Sequence, residues 1–420
     1  MKLTLPDWTE PIRNALPPGK VFAVGGFVRD ILTGYPPHDL DITGPLPPEA
    51  LSELPGWKDA VVLIPRETSL GTIGLRWQYG GVVCEAEYTA FRAESYLPGG
   101  KHRPDAVEFG VSREHDALRR DFTVNALYAD LADGTVFDPL GGLLDLEKRL
   151  LRTTRSPYTV FADDGLRLLR LFRTAAELEF SVESATLDGA KSWIKLLANI
   201  SPDRLYAELS RLLLADTRFP DHHYDISPVF RGLSLLREAG GCGVLGFTRV
   251  PSTTSLMRCS SVSPSLPRRL AAWVSEEPPS ALKAMLLRWR LPTDLVRRVV
   301  CLRTLDDWDR EGALPEEALR LGMMKMGFSV AEDWVELRSI KDNRCRWREA
   351  LTRLQKEQVP ESAADLSISG DDLLRMGIPP GPDIGKIKQA LWEWAVCHPG
   401  KVDRVALLEQ ALRLRSDYEL

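Results

Sequence analysis

The chain has 420 residues and a net charge of −5, and its 44% hydrophobic and 27% charged residues are ordinary for a globular protein of about two to four domains. No charged leader opens the chain and no run approaches about eighteen apolar residues, so neither secretion nor a membrane partner is expected. The six cysteines form no Cys-x-x-Cys pair, which argues against a zinc site and a disulfide framework and fits the reducing cytoplasm.

The first predicted element is a buried strand followed by a tight turn. Residues 21–24 form an apolar run, after which Gly25 and Gly26 allow the backbone to turn and to approach a ligand closely. Arg29 and the N–H groups at the start of the next helix suit a polyphosphate. The segment therefore predicts a phosphate-binding turn between a strand and a helix.

A second strand is predicted over residues 38–42, where polar and apolar side chains alternate. Asp39 and Asp41 share one face of this strand, roughly 6–7 Å apart along the backbone. A Gly-Gly turn or an Asp-x-Asp pair alone is usually structural. Together, two hard oxygen ligands beside a phosphate-binding turn are what magnesium-assisted phosphoryl or nucleotidyl transfer requires. We therefore predict that Asp39 and Asp41 bind Mg²⁺.

Two further strands are predicted over residues 72–77 and 82–88, joined by a Gly-Gly turn. Glu85 and Glu87 lie on one face of the second of these strands. From about residue 160 the pattern becomes helical and stays so. The chain thus begins with mixed strands and helices and continues as helices.

The segments 25–30 and 39–42, with Gly34 between them, resemble motif A of the class II tRNA nucleotidyltransferase and bacterial poly(A) polymerase family. This family belongs to the polymerase-beta-like nucleotidyltransferase superfamily. The resemblance covers about residues 20–215 and returns over about 367–400, and several separate motifs in the same order make it specific.

Residues 87–92 resemble the family's Glu-x-Thr-Thr-Phe-Arg strand. The match implies that Glu87, and not Glu85, is a third carboxylate near the metals, where it binds a metal or accepts the proton of the attacking 3′-hydroxyl. The alternative, a solvent-facing strand carboxylate, stays open. Residues 92–104 are expected to form the family's flexible polar loop, which is shortened in enzymes that add only the two cytidines.

Residues 119–126 match the family's motif B nearly residue for residue. The match implies that Arg120 pairs with the triphosphate and that Asp121 accepts a hydrogen bond from a ribose hydroxyl, which favours ribonucleotides. Residues 138–146 resemble motif C and are expected to turn into the next domain.

Base selection is expected to depend on Asp164 and Arg167, which match the family's Glu-Asp-x-x-Arg pattern and are predicted to lie three apart on one helix. A carboxylate with a guanidinium complements the pairing edges of cytosine and adenine, whereas uracil and guanine place a carbonyl opposite the carboxylate. The match also implies that Arg170 and Arg173 contact the nucleotide. Asp163 replaces the family's Glu, and this shorter carboxylate is expected to orient Arg167 less well. The alternative is an amphipathic helix with solvated arginines.

Four later segments carry weaker signals. Residues 201–209 predict a capped helix and resemble an Arg-x-x-x-Glu-Leu segment of the family, and residues 221–225 indicate a polar loop better than a metal phosphohydrolase site. Residues 249–267, rich in Pro and Ser, are predicted to form a loop. Residues 369–386 resemble the family's tail, where a helix start can hold a tRNA phosphate.

The resemblance implies an α+β fold in four parts. A polymerase-beta-like nucleotidyltransferase head with a mixed sheet is expected over residues 1–150. An all-helical neck that selects the base follows over 151–215, then a helical body over 216–355 and a helical tail that binds tRNA over 356–420.

The implied function is that of a tRNA nucleotidyltransferase, which adds the 3′-terminal CCA from CTP and ATP without a template and releases pyrophosphate. The alternatives are an enzyme that adds only the final A, a poly(A) polymerase, and a non-catalytic RNA-binding protein. The retained loop disfavours a cytidine-only enzyme, the lack of a long basic C-terminal extension disfavours poly(A) polymerase, and Asp39 with Asp41 disfavours an inactive protein. The net charge disfavours nucleic-acid binding, but Arg strongly outnumbers Lys, which favours phosphate and base contacts. The oligomeric state stays open.

Overall fold

The computed structural model describes most of the chain, and its contacts divide into two compact units, Met1–Phe247 and Thr248–Leu420. The described residues are 1–14, 16, 18–51, 53–54, 61–66, 68–97, 104–310, 315–340, 346–356, 360, 362–398 and 402–417. In these ranges, no helix combines the length and the apolar character needed to cross a bilayer. The division into head, neck, body and tail remains a prediction.

The first unit contains all the strands that the described residues form. They are β1 (Phe22–Val24), β2 (Leu40–Gly44), β3 (Val62–Pro65), β4 (Thr72–Tyr79), β5 (Val82–Ala90), β6 (Arg92–Ser95), β7 (Ala106–Phe109), β8 (Tyr128–Asp130), β9 (Val136–Phe137), β10 (Leu150–Leu151) and β11 (Ser181–Val182). Within the described part, seven of them form one sheet in the order β3-β4-β5-β2-β1-β8-β9. Strand β2 pairs antiparallel with β1 and parallel with β5, so the sheet is mixed, as predicted.

Strand β1 lies inside this sheet and is buried on both faces. Phe22 packs on one side, stacked 5.9 Å from Phe91 and edge-on to Tyr128, while Ala23 joins the apolar core on the other side. Helix formation begins directly after β1, because Gly25 adopts a φ of 77° that L-residues with a Cβ avoid. The apolar run therefore forms a central strand whose end is the predicted phosphate-binding turn.

Two small strand pairs extend beyond the main sheet. In the antiparallel pair β6–β7, strand β6 occupies the first residues of the segment predicted as a polar loop, and β7 begins just after that segment. Residues 98–103 of the segment lie outside the described residues. The parallel pair β10–β11 inserts a two-residue strand into the otherwise helical stretch after residue 157.

Helices account for most of the remaining described residues. In the first unit they are α1 (Glu10–Arg13), α2 (Gly26–Thr33), α3 (Pro48–Leu51), α4 (Arg113–Leu118), α5 (Gly142–Glu147), α6 (Pro157–Asp163), α7 (Leu166–Leu178), α8 (Ser184–Trp193), α9 (Pro202–Leu213), α10 (Pro228–Glu238) and α11 (Gly241–Leu245). In the second unit they are α12 (Thr253–Ser261), α13 (Leu266–Trp273), α14 (Pro279–Arg288), α15 (Thr293–Arg310), α16 (Pro315–Met326), α17 (Phe328–Ser339), α18 (Arg346–Lys356), α19 (Gly370–Arg375), α20 (Pro382–Cys397) and α21 (Arg404–Asp417). The predicted α+β architecture is confirmed.

The prediction of a loop over residues 249–267 is wrong, because helix α12 lies within this segment. The Ser252 hydroxyl accepts the N–H of Ser255 and so caps the helix start. Leu256 and Cys259, three residues apart, are both buried on the helix. The serines that suggested a loop therefore serve partly as caps for a helix with an apolar face.

Candidate active site

A cavity of about 1150 Å³ opens in the first unit, and most of the predicted site residues line it. From the predicted set, the lining includes Gly25, Gly26, Arg29, Asp39, Asp41, Arg120, Asp121, Asp164, Arg167, Arg170 and Arg173. These residues come from β2 and the residue before it, from α2 and the turn before it, from motif B, and from α7 and the junction before it. The structure thus gathers distant sequence motifs into one polar cavity.

Asp41 stands against the glycine turn. A Cβ on Gly25 would lie 3.5 Å from Oδ2 of Asp41 and 4.0 Å from Nη1 of Arg120. The cavity walls around Asp41 raise the pKa of its carboxyl by limiting its solvation, and Arg120 and Arg170 offset part of this rise. A carboxylate in such a place is stabilised by an additional cation.

Glu87 is the direct neighbour of Asp41 across the parallel strands β2 and β5. Glu85, in contrast, lies beyond the end of this pairing and forms an exposed ion pair with Arg76 at 2.7 Å. This favours Glu87 over Glu85 as the third carboxylate. Glu87 is not among the cavity-lining residues, and its catalytic role stays a prediction.

The described residues contain no group of three or more His, Cys, Asp or Glu side chains placed to hold a metal ion. A divalent ion at Asp39 and Asp41 would therefore take its other ligands from water and from substrate phosphate, as Mg²⁺ commonly does. The chemistry of two carboxylates beside a phosphate-binding turn fits such an ion.

Arg29 is buried and contacts protein groups with each nitrogen of its guanidinium. Nε donates to Oδ1 of Asp30 at 2.8 Å, and Nη1 donates to Oδ1 of Asn125 at 2.6 Å. Asp30 also accepts a hydrogen bond from Nη2 of Arg218 at 2.8 Å. These contacts hold the start of α2 in place, and the direct contact of Arg29 with a phosphate stays a prediction.

Arg120 of motif B is held by the buried Asp116. Nη2 of Arg120 lies 3.0 Å from Oδ2 of Asp116, and Nε donates to the Tyr128 hydroxyl at 3.2 Å. Burial alone would raise the pKa of Asp116, but Arg119 and Arg120 outweigh it and hold this pKa well below the usual range. The ionised carboxylate of Asp116 therefore fixes the guanidinium of Arg120 at the cavity wall.

Asp121 is buried and accepts hydrogen bonds on both oxygens. Oδ2 accepts from Nε of Arg170 at 2.7 Å, while Oδ1 accepts from the N–H of Phe122 and from Nδ2 of Asn125. Burial would raise the pKa of Asp121, but Arg170 and the hydrogen bond from Asn125 lower it to about 2. Asp121 is thus ionised, and its contact with a ribose stays a prediction.

The prediction that Asp164 and Arg167 lie three apart on one helix is wrong. Helix α6 ends at Asp163, Asp164 is extended with φ −147° and ψ 107°, and α7 begins at Leu166. Oδ1 of Asp164 accepts the Leu166 N–H at 2.9 Å, which orients the carboxylate at the helix start. A Cβ on Gly165 would lie 3.0 Å from the carbonyl oxygen of Leu196, so a tertiary contact shapes this junction.

Arg167 is oriented by main-chain carbonyls. Nη1 donates to the carbonyl of Val160 at 3.1 Å, and Nη2 donates to the carbonyl of Arg119 at 2.7 Å. Asp163 lies 3.9 Å from Nη1 and forms its close ion pair, at 2.6 Å, with Arg155. The shorter carboxylate at position 163 is therefore not what sets the orientation of Arg167.

Arg173 lies in a buried ion-pair cluster. It contacts Glu177 at 2.9 Å and Glu208, from the helix predicted over residues 201–209, at 2.8 Å. Glu177 lies on α7 with Arg173, whereas Glu208 lies on α9, so the pair of Arg173 with Glu208 ties α7 to α9. The contact of Arg173 with a nucleotide stays a prediction.

Sequence reasoning missed a cluster on β6. The Tyr96 ring centroid lies 6.0 Å from Cζ of Arg167, and the Tyr96 hydroxyl donates to Glu94. Glu94 also forms ion pairs with Arg92 at 2.7 Å and with Arg119 at 3.4 Å. The alternation of Arg92 and Glu94 is the one available signal for a strand with a shared charged face. The expected loop thus begins as an ordered strand beside Arg167.

Comparisons with known proteins agree with this geometry. Residues 21–152 match the family model described as the poly(A) polymerase head domain. The chain is 30% identical over 376 residues to the CCA-adding enzyme of Streptococcus pyogenes serotype M2, covering 87% of this chain and 86% of that enzyme. It is 28% identical to the CCA-adding enzyme of Pediococcus pentosaceus, covering 94% of each.

Solved structures extend the similarity to the three-dimensional fold. The Bacillus stearothermophilus CCA-adding enzyme in complex with CTP aligns with a TM-score of 0.68 and 25% identity, covering 95% of this chain and 94% of that one. The Thermotoga maritima CCA-adding enzyme complexed with tRNA shares the fold, with a TM-score of 0.61. The chain therefore belongs to the family of CCA-adding enzymes and poly(A) polymerases.

Proposed function

We propose that this protein is a tRNA nucleotidyltransferase that adds the 3′-terminal CCA to tRNA from CTP and ATP without a nucleic-acid template. The observation that carries the proposal is the convergence of a carboxylate pair, phosphate-binding groups and an Asp–Arg pair on one cavity. Full-length similarity to enzymes named for CCA addition supports the same activity.

In each addition the tRNA 3′-oxygen attacks the α-phosphorus of the nucleotide, and the bond between the α-phosphorus and the β-phosphate oxygen breaks to release pyrophosphate. Asp39 and Asp41 would hold Mg²⁺, which when bound activates the 3′-oxygen and neutralises triphosphate charge. Glu87, the strand neighbour of Asp41, would accept the 3′-hydroxyl proton, and its pairing with Asp41 supports this role.

The triphosphate is held by the turn and by motif B. Gly25 and Gly26 lie at the start of α2, where the backbone N–H groups and the helix dipole would favour an anion. Arg120, anchored by Asp116, supplies a guanidinium that is pre-oriented for a phosphate. Arg29 adds positive charge to the base of the same turn.

Base selection uses Asp164 and Arg167. The carboxylate accepts from the exocyclic amine that cytosine and adenine share, and the guanidinium donates to the adjacent ring nitrogen. Uracil and guanine present a carbonyl to Asp164, which leaves two acceptors facing each other. Asp121 accepts from a ribose hydroxyl, and Arg170 and Arg173 border the nucleotide.

The tail provides a further tRNA contact. Gly381 precedes the 16-residue helix α20, whose start would contact a tRNA phosphate. Together with the helical neck and body, this completes the four-part organisation proposed from the sequence.

The decisive experiment supplies tRNA transcripts that end at the discriminator base, at C and at CC, with CTP and ATP separately and together. We expect CTP to extend the first two by C residues and ATP to extend only the third, by one A. Extension of the CC transcript alone would identify an A-adding enzyme, and long A tails would identify a poly(A) polymerase. No incorporation by wild type would indicate a non-catalytic protein. The Asp41→Asn variant controls for contaminating activity.

A further inference from the structure

The segment of residues 218–224, which follows α9 and is here named the neck clasp, packs on the residues that precede Asp39. The Phe219 ring is 2% exposed and stacks on Tyr35, with centroids 4.1 Å apart and planes 12° apart. The ring centroids of Phe219 and His38 lie 5.8 Å apart, with their planes tilted by 32°. One buried ring thus lies against both Tyr35 and His38.

Polar contacts of the clasp reinforce this packing. Nε2 of His38 donates to the carbonyl of Arg218 at 2.9 Å, since a carbonyl can only accept. The Tyr35 hydroxyl lies 3.2 Å from Nε2 of His222, which is itself 3.2 Å from Glu179. The clasp therefore holds Tyr35 and His38 by hydrogen bonds as well as by ring stacking.

The short stretch between Tyr35 and His38 is stiff because it consists of Pro36 and Pro37. Proline fixes φ near −65° and restricts the residue before it, so the two ends of this stretch move together. The Tyr35 N–H also donates to the carbonyl of Asp30 at 2.8 Å, which fixes its start on α2. Asp39 follows His38 directly, and β2 begins one residue later.

We propose that the neck clasp positions the carboxylate of Asp39 for metal binding, with Phe219 as its central positioning residue. The inference rests on the proposed role of Asp39 as a metal ligand. Phe219 is not among the cavity-lining residues, so its influence on the reaction passes through the Tyr35–His38 stretch. Residues 221–225, predicted as a polar loop, contribute His222 to the clasp.

The test measures Mn²⁺ binding to the full-length protein by electron paramagnetic resonance without nucleotide. Phe219→Ala should weaken Mn²⁺ binding roughly tenfold, the lower end of what loss of a group that orients a metal ligand costs. Phe219→Leu should lie between Phe219→Ala and wild type, and Asp39→Asn defines complete loss of a ligand. Phe230→Ala, a half-buried aromatic of α10, is the matched control and should bind as wild type does. A folded Phe219→Ala protein with wild-type Mn²⁺ affinity would overturn the proposal.

Kinetics separate positioning from a general defect. Phe219→Ala should raise the Mg²⁺ concentration for half-maximal CTP incorporation about tenfold and lower kcat, with the KM for CTP within about twofold of wild type. A lower rate with an unchanged Mg²⁺ dependence would refute positioning. If wild type adds no nucleotide, the proposed function fails while the Mn²⁺ measurement still tests the clasp. Should Phe219→Ala not fold, Tyr35→Ala removes the other half of the stack, and the same outcomes apply.

Discussion

Variants of Asp164 test whether the protein itself reads the base. Asp164→Ala removes the carboxylate altogether. Asp164→Asn keeps an oxygen for the Leu166 N–H and places an N–H donor on the other side of the group. Asp163→Ala removes the adjacent carboxylate, whose close partner is Arg155, and is the matched control.

The structure sets the expected size of the effect. A hydrogen bond to a charged group contributes roughly 1.5–3 kcal/mol, or about 10- to 100-fold in kcat/KM for CTP and ATP. UTP and GTP should lose little or gain, because the repelling carboxylate is gone. Asp164→Ala also loses the bond to the Leu166 N–H, at a cost of about 1 kcal/mol in unfolding free energy that Asp164→Asn avoids.

The assay is single-nucleotide addition to tRNA transcripts ending at the discriminator base and at CC, with kcat/KM measured for all four nucleotides. Both Asp164 variants should lower the ratio of CTP over UTP by about tenfold or more, while Asp163→Ala keeps the wild-type ratio. An equal loss for all four nucleotides, with the ratio unchanged, would refute base reading and leave Asp164 as a residue of the helix start.

Asp39→Ala or Asp41→Ala should abolish nucleotide incorporation, since metal activation contributes several kcal/mol, and should leave tRNA binding in gel shifts largely intact. Glu85→Ala, which changes an exposed carboxylate, is the control and should stay active. Activity above about a tenth of wild type in either Asp variant would contradict the assignment. Deletion of residues 95–101 should spare C addition and impair A addition, measured on transcripts ending at C and at CC, and equal loss of both steps would mean a structural role only. The pKa of Asp121 falls from 3.8 to about 2 on folding. Its ionised form therefore contributes about 2 kcal/mol to the free energy of unfolding above pH 4, and this contribution is lost as the pH falls towards 2. Asp121→Asn should therefore lower the unfolding free energy at pH 7 and flatten its decline between pH 4 and 2 in urea titrations, and an unchanged slope would show that Asp121 is not the titrating group.

The part of the site that depends on local chemistry could be predicted from the sequence. The apolar run before Gly25 forms β1, and Gly25 takes the positive φ that only glycine adopts readily. The spacing of Asp39 and Asp41 and the strand that holds Glu87 follow from the period of two in a strand. Such features depend on neighbouring residues and are therefore visible in the chain itself.

The part that depends on distant residues could not be predicted in this way. The break at Asp164 lies where Leu196, about thirty residues away, approaches Gly165 closely, and no local pattern encodes that contact. Likewise, the contact between Phe219 and Tyr35 joins two segments that the sequence separates widely. Composition misled at α12 because serine favours both loops and helix caps.

The way Arg167 is held has a consequence for how base choice withstands mutation. Its two hydrogen-bond acceptors are the carbonyls of Val160 and Arg119, and every amino acid at these positions supplies the same carbonyl. Side chains there can be exchanged without removing the groups that aim the guanidinium, provided the backbone keeps its path. On the proposed role of Arg167 in base selection, exchange of these two side chains would leave the nucleotide preference unchanged.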